Sequence, residues 1–370
     1  KIEPPEGDTM RYSGWRRHHE MASIFLTLGR NKRSVVLDLK SPQAREAIAT
    51  LVGSVDVVIH NLRRPAAAKL GLDYESLRSI NPSIVHVVGL GFGDGGPYSG
   101  LPAYDDVVQA MAGPVGLMER SIGEPKFVPQ IFVDKTTGMA LSAAVTAALF
   151  HRERTGEGQE VSVPMFEMMA GFSLVEHLFE ASFVPQPGED VELTMGYSRV
   201  LSPHRRPYRT SDGQYICALP YTDRHYQRLF DELDRPDLAA DPLFASIASR
   251  AVRIDDVYAL VAELVATRPA AEWLRILADA EIPSAAVSSL EDLLEDPHLA
   301  AVGFWEASEH PSEGPIRLPR PAVSFGATPA ATRRPAPRLG EHTIECLLEG
   351  GLSQDQVDEL LSTGAARQAE

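Results

Sequence analysis

Three short runs rich in β-branched residues, at 34–39 (SVVLDL), 55–60 (VDVVIH) and 84–90 (IVHVVGL), alternate with stretches patterned for helix. This alternation constrains the fold more than any other feature. A strand, a crossover helix and a parallel strand form one right-handed unit, and helices on both sheet faces demand strands that are apolar nearly throughout. Between the first two runs, Ser41 is placed as an N-cap, Pro42 in the first helical turn and Gly53 at the end. Asn61 opens the loop after the second run, and α/β proteins take their ligands at the carboxyl ends of parallel strands.

Further along, beyond Gly158, QEVSVPMFE reads as a strand followed by a helix reaching His177. Residues 183–203 are proline-interrupted and without period, a linker or lid. A hairpin turns at Ser211–Gly213, residues 224–294 are patterned for helix, and two helices at 341–349 and 353–362 close the chain. The expected fold is α/β, a doubly wound, mostly parallel, Rossmann-like sheet with an inserted smaller α+β domain. The expected boundaries are 1–190 for the large domain, 191–203 for the linker, 204–300 for the small domain and 301–370 for a tail returning to the large one.

The stretch around Asp134 carries the chemistry. A short apolar run, Ile131-Phe132-Val133, leads into it, and from Lys135 to Arg152 there is no proline and five residues are alanine. The pattern predicts a long, closely packed helix with Asp134 at its N-cap and Gly156 just past its end. A carboxylate there faces unpaired N–H groups and the positive end of the helix dipole, so it is expected to stay ionised. It reads as an ordinary cap or as a nucleophile, and capping statistics alone favour the cap.

Composition narrows the function classes. Lys and Arg number 35 against 51 Asp and Glu, a formal charge of −16, which argues against nucleic acid and anionic membrane as partners. No apolar stretch is long enough to span a bilayer, and no signal-peptide pattern opens the chain. Cys217 and Cys346 lack metal-ligand spacing and are expected to be buried thiols in a reducing cytoplasm. Against the overall charge, residues 1–40 hold eight Lys or Arg and five Asp or Glu. Asn31-Lys32-Arg33 precedes the first strand, either as a solvated basic loop or as a phosphate contact.

Gly91, Gly93 and Gly96 match the dinucleotide fingerprint G-x-G-x-x-G, but Pro97 and a turn-rich PYSGLP follow where that fingerprint needs a helix. A glycine-rich turn is the better reading, which weakens a nicotinamide oxidoreductase. Tyr104-Asp105 opens a helix, and Asp105 is read evenly as its cap or as a group contacting substrate.

The segments NKRSVVLDLK, HNLRRPAAAKLGLDYESL, GFGDGGPYSG, AYDDVVQAMAG, VDKTTGM, FHRERTGEGQEVSVPM and RTSDGQYI occur in this order. Together they resemble the family III CoA-transferases, from Lys1 to about His342. The resemblance implies that Asp134, the aspartate of a D-x-x-x-G motif completed by Gly138, carries the acyl group. It also implies that Asn31, Lys32 and Arg33 contact the nucleotide of CoA, and that Asn61, Leu62 and Arg63 line the CoA pocket with Tyr104. Tyr104 stands where racemases of the same superfamily carry a histidine base, which speaks for transfer.

The resemblance further implies an interlinked homodimer, an upstream strand and helix before Lys1, and CoA thioesters as substrate and product with no metal or redox cofactor. The family's glycine-rich lid loop is not found near residue 204. The expected function is CoA transfer from an acyl-CoA donor to a carboxylic acid acceptor. A dicarboxylate such as succinate would find its second partner in Arg63, Arg64, Arg199 or residues 204–206. A CoA-thioester racemase and a non-catalytic acyl-CoA-binding relative are the alternatives.

Overall fold

The computed structural model describes residues 1–186, 188–189 and 192–369. They form two compact units, one of Lys1–Leu101, Thr137–Pro164 and Leu293–Glu370, the other of Pro102–Thr136 and Met165–Asp292. These limits differ from boundaries at 190, 203 and 300. Residues 204–292 share a unit with 102–136 and 165–203, stretches that sequence pattern alone assigns to the large domain and the linker.

In the first unit the strands Val57–His60, Val85–Leu90 and Glu160–Pro164 pair in parallel, with Val85–Leu90 in the middle. One face of this sheet is apolar: Val85 and Val87 are fully buried and pack with Val57 and Val161 against Leu141, Val145 and Ala148 of the helix Phe132–Thr155. Gly158 leads into the third strand so close to its neighbour that a Cβ there would lie 2.1 Å from the Ile84 carbonyl oxygen. Only glycine fits such an approach.

The strand Val35–Leu37 lies in a different sheet. It pairs in parallel with Ile2–Glu3 and antiparallel with Ala366–Arg367. The parallel pairing predicted by the β-branched runs is therefore present, but divided between two three-stranded sheets. The reason is competition for the backbone edge: the end of the chain takes one side of Val35–Leu37, and the Val36 N–H donates to Thr343 Oγ1 at 3.0 Å.

The helix Pro42–Val52 starts after Ser41 and ends at Gly53 as its cap residues predict. It buries Ala44, Ala47 and Ile48 against Leu77, Leu347, Val357 and Leu360, so the tail helices Thr343–Glu349 and Gln354–Ser362 complete this core. Each such Leu, Ile or Val contributes on the order of 1.5–3 kcal/mol. A buried ion pair fastens the same region: Arg11 donates twice to Glu3 at 2.8 Å and also meets the Pro337 carbonyl.

The second unit contains the hairpin Tyr208–Arg209 and Tyr215–Ala218, with Ser284–Ala286 as a third, antiparallel strand. Ile216 and Ala218 face a core that includes Phe230, Val257, Trp273 and Leu277. Alternation then turns Cys217 outward: it is exposed, and Cys346 is half-buried. The expectation of two buried thiols is corrected by that strand register. Among the described residues, no helix is long and apolar enough to cross a membrane.

Candidate active site

The helix Phe132–Thr155 begins two residues earlier than Asp134. Asp134 is therefore the third residue of the helix and not its N-cap. The apolar run before it is the first helical turn, drawn in by burial: Val133 is fully buried against Val108, Ala112 and Met169. Gly156, with φ +77°, ends the helix and donates to the Arg152 carbonyl, as expected.

A third-position N–H has no partner within its own helix. Here Asp105 supplies one. Its Oδ1 accepts the Asp134 N–H at 3.0 Å, while its Oδ2 accepts from Gln109 Nε2 at 2.6 Å. Asp105 is the first residue of the helix Asp105–Met111, whose cap position is Tyr104, and it caps the Asp134 helix instead of its own. Gln109, one turn further on and fully buried, accepts the Val128 N–H at 2.9 Å through Oε1. Asp105 and Gln109 thus tie the chain on both sides of residue 131 to one short helix. Sequence reading missed Gln109, although its i,i+4 spacing from an acidic helix start was a signal.

The Asp134 side chain is exposed. Among the described residues, its carboxylate has no hydrogen-bond or ion-pair partner. Desolvation and then the Asp105 charge push it above the ordinary carboxylate value, against the direction that the helix terminus alone would set. Gly138 follows one turn later on the same helical face, and nothing lies within 4 Å of where its Cβ would be. Tyr104 is 78% exposed and its hydroxyl caps nothing. The structure thus brings Asp105 to the backbone of Asp134, with Tyr104 the residue before Asp105.

Of the residues expected at CoA, Tyr104 belongs to the second unit, and residues 31–33 and 61–63 lie in the first, in loops beside strands of different sheets. Asn31 has φ +60°; its Nδ2 donates to the Ala331 carbonyl, and its Oδ1 accepts the Arg333 and Arg334 N–H groups. Its side chain therefore shapes a cavity of about 460 Å³ lined also by Phe325, Arg333 and Arg334. Lys32 Nζ donates to the Leu28 carbonyl at 2.5 Å, and burial lowers its pKa. Arg33 pairs with Glu345 and Glu349 at 2.9 and 2.5 Å, which raises its pKa further.

Asn61, Leu62 and Arg63 follow the strand Val57–His60, and Arg63 is the cap residue of the helix Arg64–Lys69. Arg64 is engaged by Asp94, Glu160 and Ser162. Arg199 lies 4.4 Å over the Tyr221 ring, and His204 sits in a surface turn. The Gly91–Gly96 stretch is a turn with no helix behind it.

The family model for CoA-transferase family III matches residues 1–343. The chain is 30% identical over 370 residues to the cinnamoyl-CoA:phenyllactate CoA-transferase of Clostridium sporogenes, covering 97% of this chain and 88% of that one. It is 29% identical to the succinate–glutarate CoA-transferase of Agrobacterium fabrum, over 89% and 80% of the two chains. Among solved structures, a CaiB/BaiF family protein from Brucella suis superimposes with a TM-score of 0.75 at 28% identity, over 94% of this chain and 90% of that one. An ordered set of motifs, an unpartnered carboxylate on a helix pinned by a second one, and this breadth of likeness have one meaning: the chain is a CoA-transferase of family III.

Proposed function

We propose that the enzyme moves CoA from an acyl-CoA to a free carboxylic acid through a covalent intermediate on Asp134. The observation that carries this reading is the Asp134 carboxylate, exposed and unpartnered while its backbone is held by Asp105. A side chain free at its oxygens but fixed at its Cα is suited to nucleophilic attack.

A carboxylate oxygen of Asp134 adds to the thioester carbonyl and the C–S bond breaks, leaving a mixed anhydride and CoA thiolate. The thiolate attacks the aspartyl carbonyl, forming an aspartyl-CoA thioester and releasing the first acid. The acceptor carboxylate attacks that thioester, regenerating thiolate and a second anhydride. The thiolate then takes the acceptor's acyl group, and Asp134 returns to carboxylate. No proton changes hands, and the sequence preserves the thioester only where water is excluded.

CoA is proposed to meet Lys32 and Arg33 through its phosphates and the Asn61–Arg63 loop along its length. Arg33 must then share or exchange its two glutamate partners. For an acceptor such as succinate, Arg63 and the pair Arg205 and Arg206 are the cations that support the reading. Arg64 is already paired and Arg199 is stacked on Tyr221. Met139, Ala143, Ala147 and Phe150 form an exposed apolar stripe on the long helix, which suits a homodimer.

Asp134→Asn tests the reading. Because Asp105 caps the backbone, and the raised carboxyl pKa is a small liability at neutral pH, unfolding should stay at or slightly above the wild-type temperature. Transferase activity should fall by several orders of magnitude. Incubation with acyl-CoA alone, followed by hydroxylamine, should mark the Asp134 peptide. An active Asn variant, or a label on Asp105 or Asp106, would remove Asp134 as the nucleophile. Rapid deuterium uptake at C2 of a 2-methylacyl-CoA would make the enzyme a racemase.

A further inference from the structure

The second face of the Val85–Leu90 sheet carries a line of polar side chains that the transfer chemistry does not use. Val58, His86 and Glu160 are register partners across the three strands, and His60 lies two residues after Val58. His60, His86 and Glu160 therefore share one face. His86 is fully buried, with Tyr74 stacked parallel to it at 6.2 Å.

Hydrogen-bond partners order the protons along this line. His60 Nδ1 receives the Leu62 N–H at 3.2 Å, so it is an acceptor and the His60 proton is on Nε2. That Nε2–H faces the Leu72 carbonyl at 3.1 Å and His86 Nε2 at 3.0 Å. His86 Nε2 is then the acceptor and its proton is on Nδ1, which lies 3.5 Å from Glu160 Oε1 without a hydrogen bond to it. Arg64, itself bound to Asp94, holds Glu160. Asp73, at the cap of the helix that carries Tyr74, is the remaining charge acting on His86.

We propose that His60 is a positioning residue which, oriented by His86 and the Leu72 carbonyl, holds the Leu62 N–H and so sets the backbone of the Asn61–Arg63 loop for CoA. This rests on the assignment of that loop to CoA. The device has a built-in condition. A proton added to His60 Nδ1 would place two donors face to face at Leu62 and release the loop.

The test reads the loop first and CoA second. Amide exchange at Leu62, followed by mass spectrometry with residue-level fragmentation, gives its protection factor without any ligand. His60→Ala should lower that protection about tenfold and weaken CoA binding by calorimetry to a similar degree. His60→Asn, whose Oδ1 takes the place of Nδ1, should keep both within about threefold. In wild type, protection at Leu62 should fall with acidification; in His60→Asn it should not. Wild-type protection in His60→Ala overturns the proposal, as does the same pH dependence in wild type and His60→Asn. The second comparison stands even if His60→Ala does not fold. If wild type binds no CoA while Leu62 protection behaves as described, the loop device holds and the CoA assignment fails.

Discussion

The Asp105 carboxylate accepts the backbone N–H of Asp134 at 3.0 Å, so one aspartate fixes the main chain from which the other presents its side chain. The arrangement has an electrostatic consequence: after burial, the charge that caps the helix adds to the raised pKa of the carboxyl it positions. Holding and tuning are done by the same group.

Replacing Asp105 should separate those two effects. Asp105→Ala leaves the Asp134 N–H without its acceptor and the Gln109 amide with only the Gln130 carbonyl at 3.4 Å, at a cost of about 1–3 kcal/mol. Asp105→Asn retains one acceptor oxygen and removes the charge. Asp134 should then ionise at lower pH, and the acid limb of the kcat/KM profile should move down. A profile superimposable on wild type would show that Asp105 does not tune Asp134.

Gly138 offers the opposite separation. It is helical, exposed and without neighbours for a Cβ, so Gly138→Ala should stabilise the protein by about 0.5–1 kcal/mol. The added methyl lies one turn from Asp134 on the same face, and if Asp134 carries the acyl group kcat/KM should drop at least tenfold. Gains in both melting temperature and activity would argue that the motif's glycine is incidental.

Arg33 joins stability to binding. Without its guanidinium, Glu345 and Glu349 repel one another along the helix Thr343–Glu349, and Arg33→Ala should cost about 0.5–1 kcal/mol in unfolding. Calorimetry should show CoA affinity weaker by about 1–3 kcal/mol if the phosphates also use this group. Dephospho-CoA should be less affected than CoA if the contact is to the 3′-phosphate. Loss of stability with unchanged CoA affinity would confine Arg33 to the ion pair.

His86 should give the fold an acid-side weakness. Burial, and then the neighbouring His60, lower its pKa to about 4, against about 6.5 in the unfolded chain. A folded pKa below the unfolded one means that the contribution is complete above about pH 6.5 and is lost as pH falls toward 4. By pH 5 the loss should be about 2 kcal/mol. Urea unfolding at pH 7 and pH 5 measures it, and His86→Phe, which keeps a ring beside Tyr74 but does not titrate, should flatten the difference. An equal difference in both proteins would place the titration elsewhere.

Sequence by itself determined the local elements. The Pro42–Val52 helix with its Ser41 and Gly53 caps, the Val85–Leu90 strand, the hairpin turning at residue 213 and the two tail helices follow from cap residues, β-branching and turn glycines, all short-range effects. The ordered motifs also led to Asp134 and to the family. Tertiary structure decided whatever depends on partners far along the chain. It gave Val35–Leu37 a sheet of its own because the final residues compete for its edge. It turned the apolar run before Asp134 into helix because Val133 has a core to enter. It made Asp105 a cap for a helix 29 residues away, engaged Arg33 and Arg64 with carboxylates, and lined up His60, His86 and Glu160. Local pattern sets backbone conformation, but a charge or a hydrogen bond acts through space, and only the fold says which groups stand within about 3 Å of each other.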